Sequence, residues 1–142
     1  MSGTSIRRAV LAAAIATSLV AATPALGTTL EGGGVDDPAI RAVVKIKGKE
    51  RPFVRSIAIS RVTYTCPDGS TFRAGFTVEF LKINNNGRFS FSGEADQGDA
   101  SLKIAGKVKD NLKFVSGSFT EIRDAEGGGS CTSGKQRWEA KR

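Results

Sequence analysis

The sequence contains no histidine and few of the other residues that usually carry chemistry or bind metal ions. Its 142 residues include two Cys, one Met, one Trp and one Tyr. Without His, the Ser-His-Asp and Cys-His mechanisms and the commonest metal ligand are all excluded. Two Cys are too few for a structural zinc site, which would need four thiolates here. These absences favour a protein that is not an enzyme and has no metal and no cofactor.

Residues 1–27 have the pattern of a secretory signal peptide. Arg7 and Arg8 precede an apolar run over 9–22, which is too short for the roughly 20 residues of a membrane span. Small residues at 25–27 offer a cleavage site before Thr28. We therefore expect a leader helix over 1–27 and a secreted, extracellular protein with no transmembrane segment after cleavage. Its removal would leave 19 basic and 14 acidic residues, a net charge of +5 rather than +7.

Secretion would place the two cysteines in an oxidising compartment, where a disulfide can form. Cys66 and Cys131 both follow the leader, and an even number of cysteines in an oxidising compartment predicts a disulfide. The bond would close a loop of about 65 residues, for which the chain-entropy model gives about 4 kcal/mol. The sequence has no Cys-X-X-Cys pair of the kind that serves redox chemistry.

The rest of the chain shows the period-two alternation of β-strands and no helical periodicity. Residues 28–38 are polar and Gly-rich and predict a flexible N-terminal lead-in, so that the folded domain covers 39–142. A bulge is expected near Ser60-Arg61, where the inward phase changes. Phe76, Val78 and Phe80 share one predicted inward face, with an irregularity following. Asn86-Gly87 then predicts a hairpin turn into the next strand.

Seven or eight strands with one polar face each predict an all-β, antiparallel fold. Such a sheet buries its apolar face either by pairing with a second sheet or by closing on itself. The sequence favours a single β-sandwich, and the alternative is a small flattened up-and-down β-barrel. Trp138 alternates in phase with Ala140, which favours the core of either fold over stacking on a sugar ring.

Carboxylates are the main acid–base groups left in a chain without His. Glu79, Glu94 and Glu121 are the candidates for the paired carboxylates of a glycan hydrolase, although alternation places Glu79 on a polar face. The loop carrying Glu94, Asp96 and Asp99 does not have the spacing of a calcium loop. The remaining candidates, Ser130, Ser133 and Lys135, would form a Ser–Lys arrangement that nothing else in the sequence supports. The sequence therefore predicts no catalytic residue and no metal site.

Basic residues concentrate near both ends of the predicted domain. If its first and last strands are neighbours, as chain termini often are, these residues form one basic face able to attract an anionic cell-envelope polymer or an acidic protein. The alternative is that the charges only maintain solubility and protect edge strands. Nucleic acid is not favoured as a partner, because the Phe residues follow the apolar phase. The candidate binding residues are Arg41, Lys45, Lys47, Lys49, Lys135, Arg137 and Lys141.

Several short segments occur in an order that resembles a group of small exported proteins of unknown function from high-GC Gram-positive bacteria. The matching segments are CPDGS at 66–70, GRFS at 87–90, IAGKV at 104–108, SGSF at 116–119, and the stretch from Cys131 to WEAKR at 138–142. They cover most of residues 60–142. The resemblance implies an exported all-β domain with one disulfide and a C-terminal Trp strand. It implies no activity.

Taken together, these patterns predict a secreted, non-catalytic binding or cell-envelope-associated module with a basic face for an anionic polymer. Two alternatives belong to other functional classes. One is a carboxylate-dependent glycan hydrolase with two facing carboxylates in a concave site. The other is a β-barrel that carries a small ligand, which requires an unfilled apolar interior.

Overall fold

The computed structural model describes residues 27–95 and 98–142, and no helix of the α type occurs in this part of the chain. Its regular elements are antiparallel β-strands, as the alternating sequence pattern predicts. The predicted signal peptide lies outside the described residues except for Gly27. The nine strands are β1 (Gly27–Gly34), β2 (Arg41–Lys47), β3 (Phe53–Thr65), β4 (Thr71–Lys82), β5 (Arg88–Ala95), β6 (Ala100–Lys109), β7 (Phe114–Asp124), β8 (Ser130–Thr132) and β9 (Gln136–Lys141).

Six of these strands form a closed ring. β1 pairs with β2 and β9, β2 pairs with β3, and β7 pairs with β9 and β8. A single residue pair, Thr65 with Thr132, joins β3 to β8 and completes the ring. β4 extends the sheet beyond β3, and β6 and β5 extend it beyond β7. The all-β prediction is confirmed, and of the two architectures considered the closed barrel is the one formed.

The N-terminal segment predicted as a flexible lead-in is instead the central strand of this arrangement. β1 is paired along one edge with β2 and along the other with β9, with Gly32 opposite both Ala42 and Ala140. The prediction failed because Gly-rich sequence disfavours strands in general. Here a side chain would collide with the neighbouring backbone, since a Cβ on Gly32 would lie 2.0 Å from the carbonyl oxygen of Glu139. The folded domain therefore begins at β1, before residue 39.

The Asn86-Gly87 turn is present, but the strands that it joins do not form a hairpin ladder. Gly87 has a positive φ of 76°, and its N–H donates to the carbonyl of Asn84. Beyond this turn β4 pairs with β3 and β5 pairs with β6, so β4 and β5 are the two edges of the described sheet. The hairpin prediction is therefore wrong, because a turn signal specifies the reversal of the chain and not the partner of each strand.

Both irregularities predicted from the sequence occur. The register of β3 against β4 shifts between Ile59 and Val62, with Arg61 at a φ of 60°. On β4, Phe80 has a φ of 59°, and the inward residues on either side of it are Val78 and Leu81, three apart instead of two. The phase change turns Phe80 outward, where 64% of it is exposed. The prediction that Phe80 faces inward is wrong.

Large side chains fill the interior of the barrel. The fully buried residues include Trp138, Tyr64, Phe119 and Leu30, and they belong to a single hydrophobic core. Trp138 is 1% exposed, which confirms its predicted core position and removes it as a platform for a sugar ring. Its indole lies over Gly117, where a Cβ would be 2.9 Å from Cζ2 of Trp138.

The predicted disulfide between Cys66 and Cys131 is formed. Cys66 directly follows β3, and Cys131 is the middle residue of β8. The bond therefore fastens the ring beside the single pair, Thr65 with Thr132, that closes it.

Candidate functional site

The three glutamates considered for glycan hydrolysis are not brought together. Glu79 and Glu94 are exposed on the outside of the barrel, whereas Glu121 is fully buried inside it. A hydrolytic pair needs both carboxyl groups on one cleft, about 5–10 Å apart. The pairs proposed from the sequence therefore do not form.

Glu121 instead belongs to a buried polar cluster that connects three strands. Its Oε2 accepts a 2.7 Å hydrogen bond from the hydroxyl of Tyr64, and its Oε1 lies 2.6 Å from Nε of Arg123. Arg123 also donates through Nη2 to the carbonyl of Gly75 at 2.7 Å. Burial and the bond to Glu121 raise the pKa of Tyr64 well above its usual value of 10. Because its partners surround it inside the barrel, Glu121 has a structural role.

The remaining residues considered from the sequence as catalytic or metal-binding candidates do not form a site in the described structure. Ser133 is buried, and its Oγ accepts the N–H of Glu121 and donates to the carbonyl of Gly134, so it is a structural link. Ser130 and Lys135 are exposed. Asp96, in the loop whose spacing does not fit a calcium site, lies outside the described residues. Within residues 27–95 and 98–142 no group of three acidic, Cys or His residues is placed to hold a metal ion.

The seven basic residues selected from the sequence do not form one continuous basic face. β2 and β9 are separated by β1, whose Glu31 lies opposite both Val43 and Lys141 on the outer surface. Glu139 interrupts the basic residues of β9 in the same way. Four of the set, Lys45, Lys47, Lys49 and Lys141, lie toward one end of the barrel, and the other three, Arg41, Lys135 and Arg137, lie toward the opposite end.

Arg137 already has an acidic partner. Its Nη2 lies 2.6 Å from Oδ1 of Asp36, its Nε donates to the same carboxylate, and its backbone N–H donates to Oδ2. These hydrogen bonds hold the pKa of Asp36 below its usual value. The pair fastens the turn after β1 to β9, so Arg137 is less available to a ligand than an unpaired surface cation.

Basic and acidic residues are distributed unevenly between the two ends of the barrel. We call the end formed by residues 47–53, 82–88, 109–114 and 141–142 the basic end; it carries nine basic and two acidic residues. The opposite end, the acidic end, comprises the described residues of 34–41, 65–71, 94–100 and 123–137. It carries seven acidic and four basic residues. The molecule is therefore strongly polarised along the barrel axis.

An open cleft of about 810 Å³ lies at the basic end, between the turns that follow β2, β4 and β6. Its lining combines apolar, basic, acidic and amide side chains. The residues include Arg51, Phe53, Phe80, Lys82, Asn84 and Lys109. The sequence carries no local signature of this cleft as a whole, because its walls come from three turns that are distant in the chain. The one local signal was the irregularity expected beside Phe80.

Comparisons of the chain with protein-family models, curated proteins and solved structures find no match. In the part of the chain that the structure describes, no helix is long and apolar enough to cross a membrane.

Proposed function

We propose that this protein is a secreted, non-catalytic binding module that contacts an anionic polymer of the cell envelope through the basic end of its barrel. The observation that carries the proposal is the separation of charge, with nine basic and two acidic residues gathered at one end. Eight of the nine are exposed and the ninth, Lys47, is half-buried. Like charges clustered on one surface create a potential that attracts and orients a polyanion. The acidic end would be repelled, so binding would be end-on.

The disulfide and the leader pattern support an extracellular site of action, since disulfides persist in oxidising compartments. The filled interior and the separated carboxylates favour surface binding over the two alternatives.

The test is co-sedimentation with purified Gram-positive cell wall over a range of salt concentrations. We expect binding at low salt that weakens as salt rises, because exposed charges are screened over about 10 Å at 0.1 M ionic strength. The double variant Lys82→Gln/Lys109→Gln should bind about tenfold more weakly, since an exposed ion pair contributes up to about 1 kcal/mol. The matched control, Arg41→Gln/Lys135→Gln, removes the same charge from the acidic end and should bind like the wild type. Binding that does not change with salt concentration, or an equal loss of affinity in both double variants, contradicts the proposal.

A further inference from the structure

Unfavourable backbone conformations are concentrated around the cleft at the basic end. Among the described residues, five that are not Gly have a left-handed φ, and four of them line this cleft: Phe80 (59°), Asp110 (54°), Asn111 (51°) and Leu112 (67°). Asp and Asn tolerate this region, whereas Phe and Leu rarely adopt it. Strained residues of this kind cluster at binding and catalytic sites, where the surrounding structure holds them in place.

At Phe80 the strained backbone presents an aromatic ring to solvent. The residue is 64% exposed, more than any other large apolar side chain described. The guanidinium of Arg55 lies 4.1 Å from the ring centroid and holds the ring on one side, as a cation–π contact does. The core gains nothing from this ring, because Val78 and Leu81 are the inward residues on either side. Packing therefore does not explain why Phe occupies a position that Gly or Asn would suit better.

The rest of the lining supplies charge and hydrogen bonds. Arg51, Lys82 and Lys109 border the cleft together with amide side chains, and all three cations are exposed. Glu50 and Asp110 also line it, so the cations exceed the carboxylates by one. The volume of about 810 Å³ lies within the range of about 300–1,000 Å³ that is typical of small-ligand sites. An aromatic ring, cations and amides around one opening match a ligand that has an apolar ring face, negative charge and hydroxyl groups.

We propose that this cleft binds a segment of an acidic polysaccharide, a polymer of sugar rings that bear carboxylate or phosphate groups. Phe80 contacts the apolar face of a sugar ring, and Arg51, Lys82 and Lys109 pair with the acidic groups. The amides of Asn85 and Asn111 exchange hydrogen bonds with the hydroxyls. Asn84, whose Oδ1 already accepts the N–H groups of Asn86 and Arg88, donates to a hydroxyl through Nδ2. This inference rests on the proposed function and specifies which polyanion the basic end selects.

Other polyanions fit the cleft less well. Single-stranded nucleic acids are bound by several aromatic side chains that stack successive bases along a basic groove. The cleft offers one strongly exposed ring, since Phe53, which also borders it, is only half-exposed. Polyphosphate has no ring for Phe80 to contact. Both polymers therefore serve as comparison ligands.

The experiment compares the affinity of the full chain for polygalacturonate, inorganic polyphosphate and oligothymidylate by isothermal titration calorimetry. The wild type should bind polygalacturonate most tightly. Phe80→Asn removes the ring and suits the left-handed backbone, so its thermal midpoint should equal or exceed that of the wild type. Its affinity for polygalacturonate should fall about three- to tenfold, which is the loss of affinity expected when one aromatic contact is removed. Its affinity for polyphosphate should not change.

Two further variants test whether a loss of affinity is due to the ring of Phe80. Phe80→Gly is a second ring-free variant that accepts a positive φ without strain, and it should behave like Phe80→Asn. Phe72→Leu removes a ring that is 40% exposed on β4, next to the acidic end, and should leave all affinities unchanged. Unchanged polygalacturonate binding in both Phe80 variants, or oligothymidylate bound most tightly, overturns the inference while the proposed function stands. Failure of polygalacturonate to bind, with salt-dependent binding to purified cell wall retained, also overturns only the inference. Absence of salt-dependent binding to the cell wall overturns the proposed function itself.

Discussion

At the scale of single residues, the most informative group is the buried cluster of Tyr64, Glu121 and Arg123. A carboxylate inside an apolar core is tolerated only when its oxygens are paired. Here the phenol of Tyr64 and the guanidinium of Arg123 supply those partners at 2.7 and 2.6 Å. The sequence pattern placed Glu121 on a strand but could not show its depth, because Tyr64, which donates to its Oε2, is 57 residues away in the chain.

Tyr64 is the only tyrosine of the chain, so its ionisation can be followed directly. We expect no tyrosinate absorbance in the folded protein near pH 10, because burial and the bond to Glu121 raise the pKa of Tyr64. In urea the same residue should titrate near its ordinary pKa of about 10. Since the folded pKa is the higher one, this contribution to stability is complete below pH 10 and is lost as pH rises above that value. Ordinary titration in the native state would contradict the buried hydrogen bond.

A second prediction at this scale concerns Gly117, which lies against the indole of Trp138. In Gly117→Ala the new Cβ would lie 2.2 Å from the carbonyl oxygen of Ala105 and 2.9 Å from the indole. We expect a loss of about 1–3 kcal/mol in the free energy of unfolding, as for other overpacked cores. The measurement is urea denaturation followed by fluorescence of Trp138, the one tryptophan of the chain. Ser118→Ala, on the opposite face of the same strand, is the control and should change stability little.

At the scale of elements, β1 shows how composition can conceal a strand. Its glycines allow the backbones of β2 and β9 to approach closely, and one inward residue, Leu30, anchors it in the core. Without knowledge of those neighbours, the sequence GTTLEGGG looks like a polar linker. Period-two alternation, in contrast, was sufficient for β2, β6 and β9, because each buries alternate side chains on one face.

The role of β1 can be tested through Leu30, which is fully buried. Leu30→Ala should cost about 2–5 kcal/mol in urea denaturation, the usual range for a large-to-small core substitution. A flexible lead-in would show almost no effect. Thr29→Ala, on the exposed face of the same strand, provides the control, with an expected change within about 1 kcal/mol.

At the scale of the whole molecule, the closure of the ring depends on few interactions. β3 and β8 share one residue pair, and the disulfide between Cys66 and Cys131 lies beside it. The bond closes a long loop, with a sequence separation of 65 residues. A covalent link of this kind acts mainly by restricting the unfolded chain.

Cys66→Ala/Cys131→Ala should therefore lose about 4 kcal/mol of unfolding free energy under oxidising conditions. Hydrogen exchange at the amides of β8 should rise more than in β2, since β8 is only three residues long and is held beside the bond. With a strong thiol reductant present, the wild type and the variant should become nearly equal in stability. A stability difference that persists after full reduction would show that the bond is not its source.

The sequence by itself determined the β class, the alternation of β2, β6 and β9, the two irregularities and the pairing of the two cysteines. Each of these follows from local alternation, turn chemistry or a simple count. Only the tertiary structure decided that the sheet closes, that a Gly-rich segment becomes β1, and that Phe80 faces outward. It also decided that the basic residues gather at one end of the barrel, where three distant turns form a cleft. These features depend on which strands become neighbours and in what register, and that is set by the packing of residues far apart in the chain.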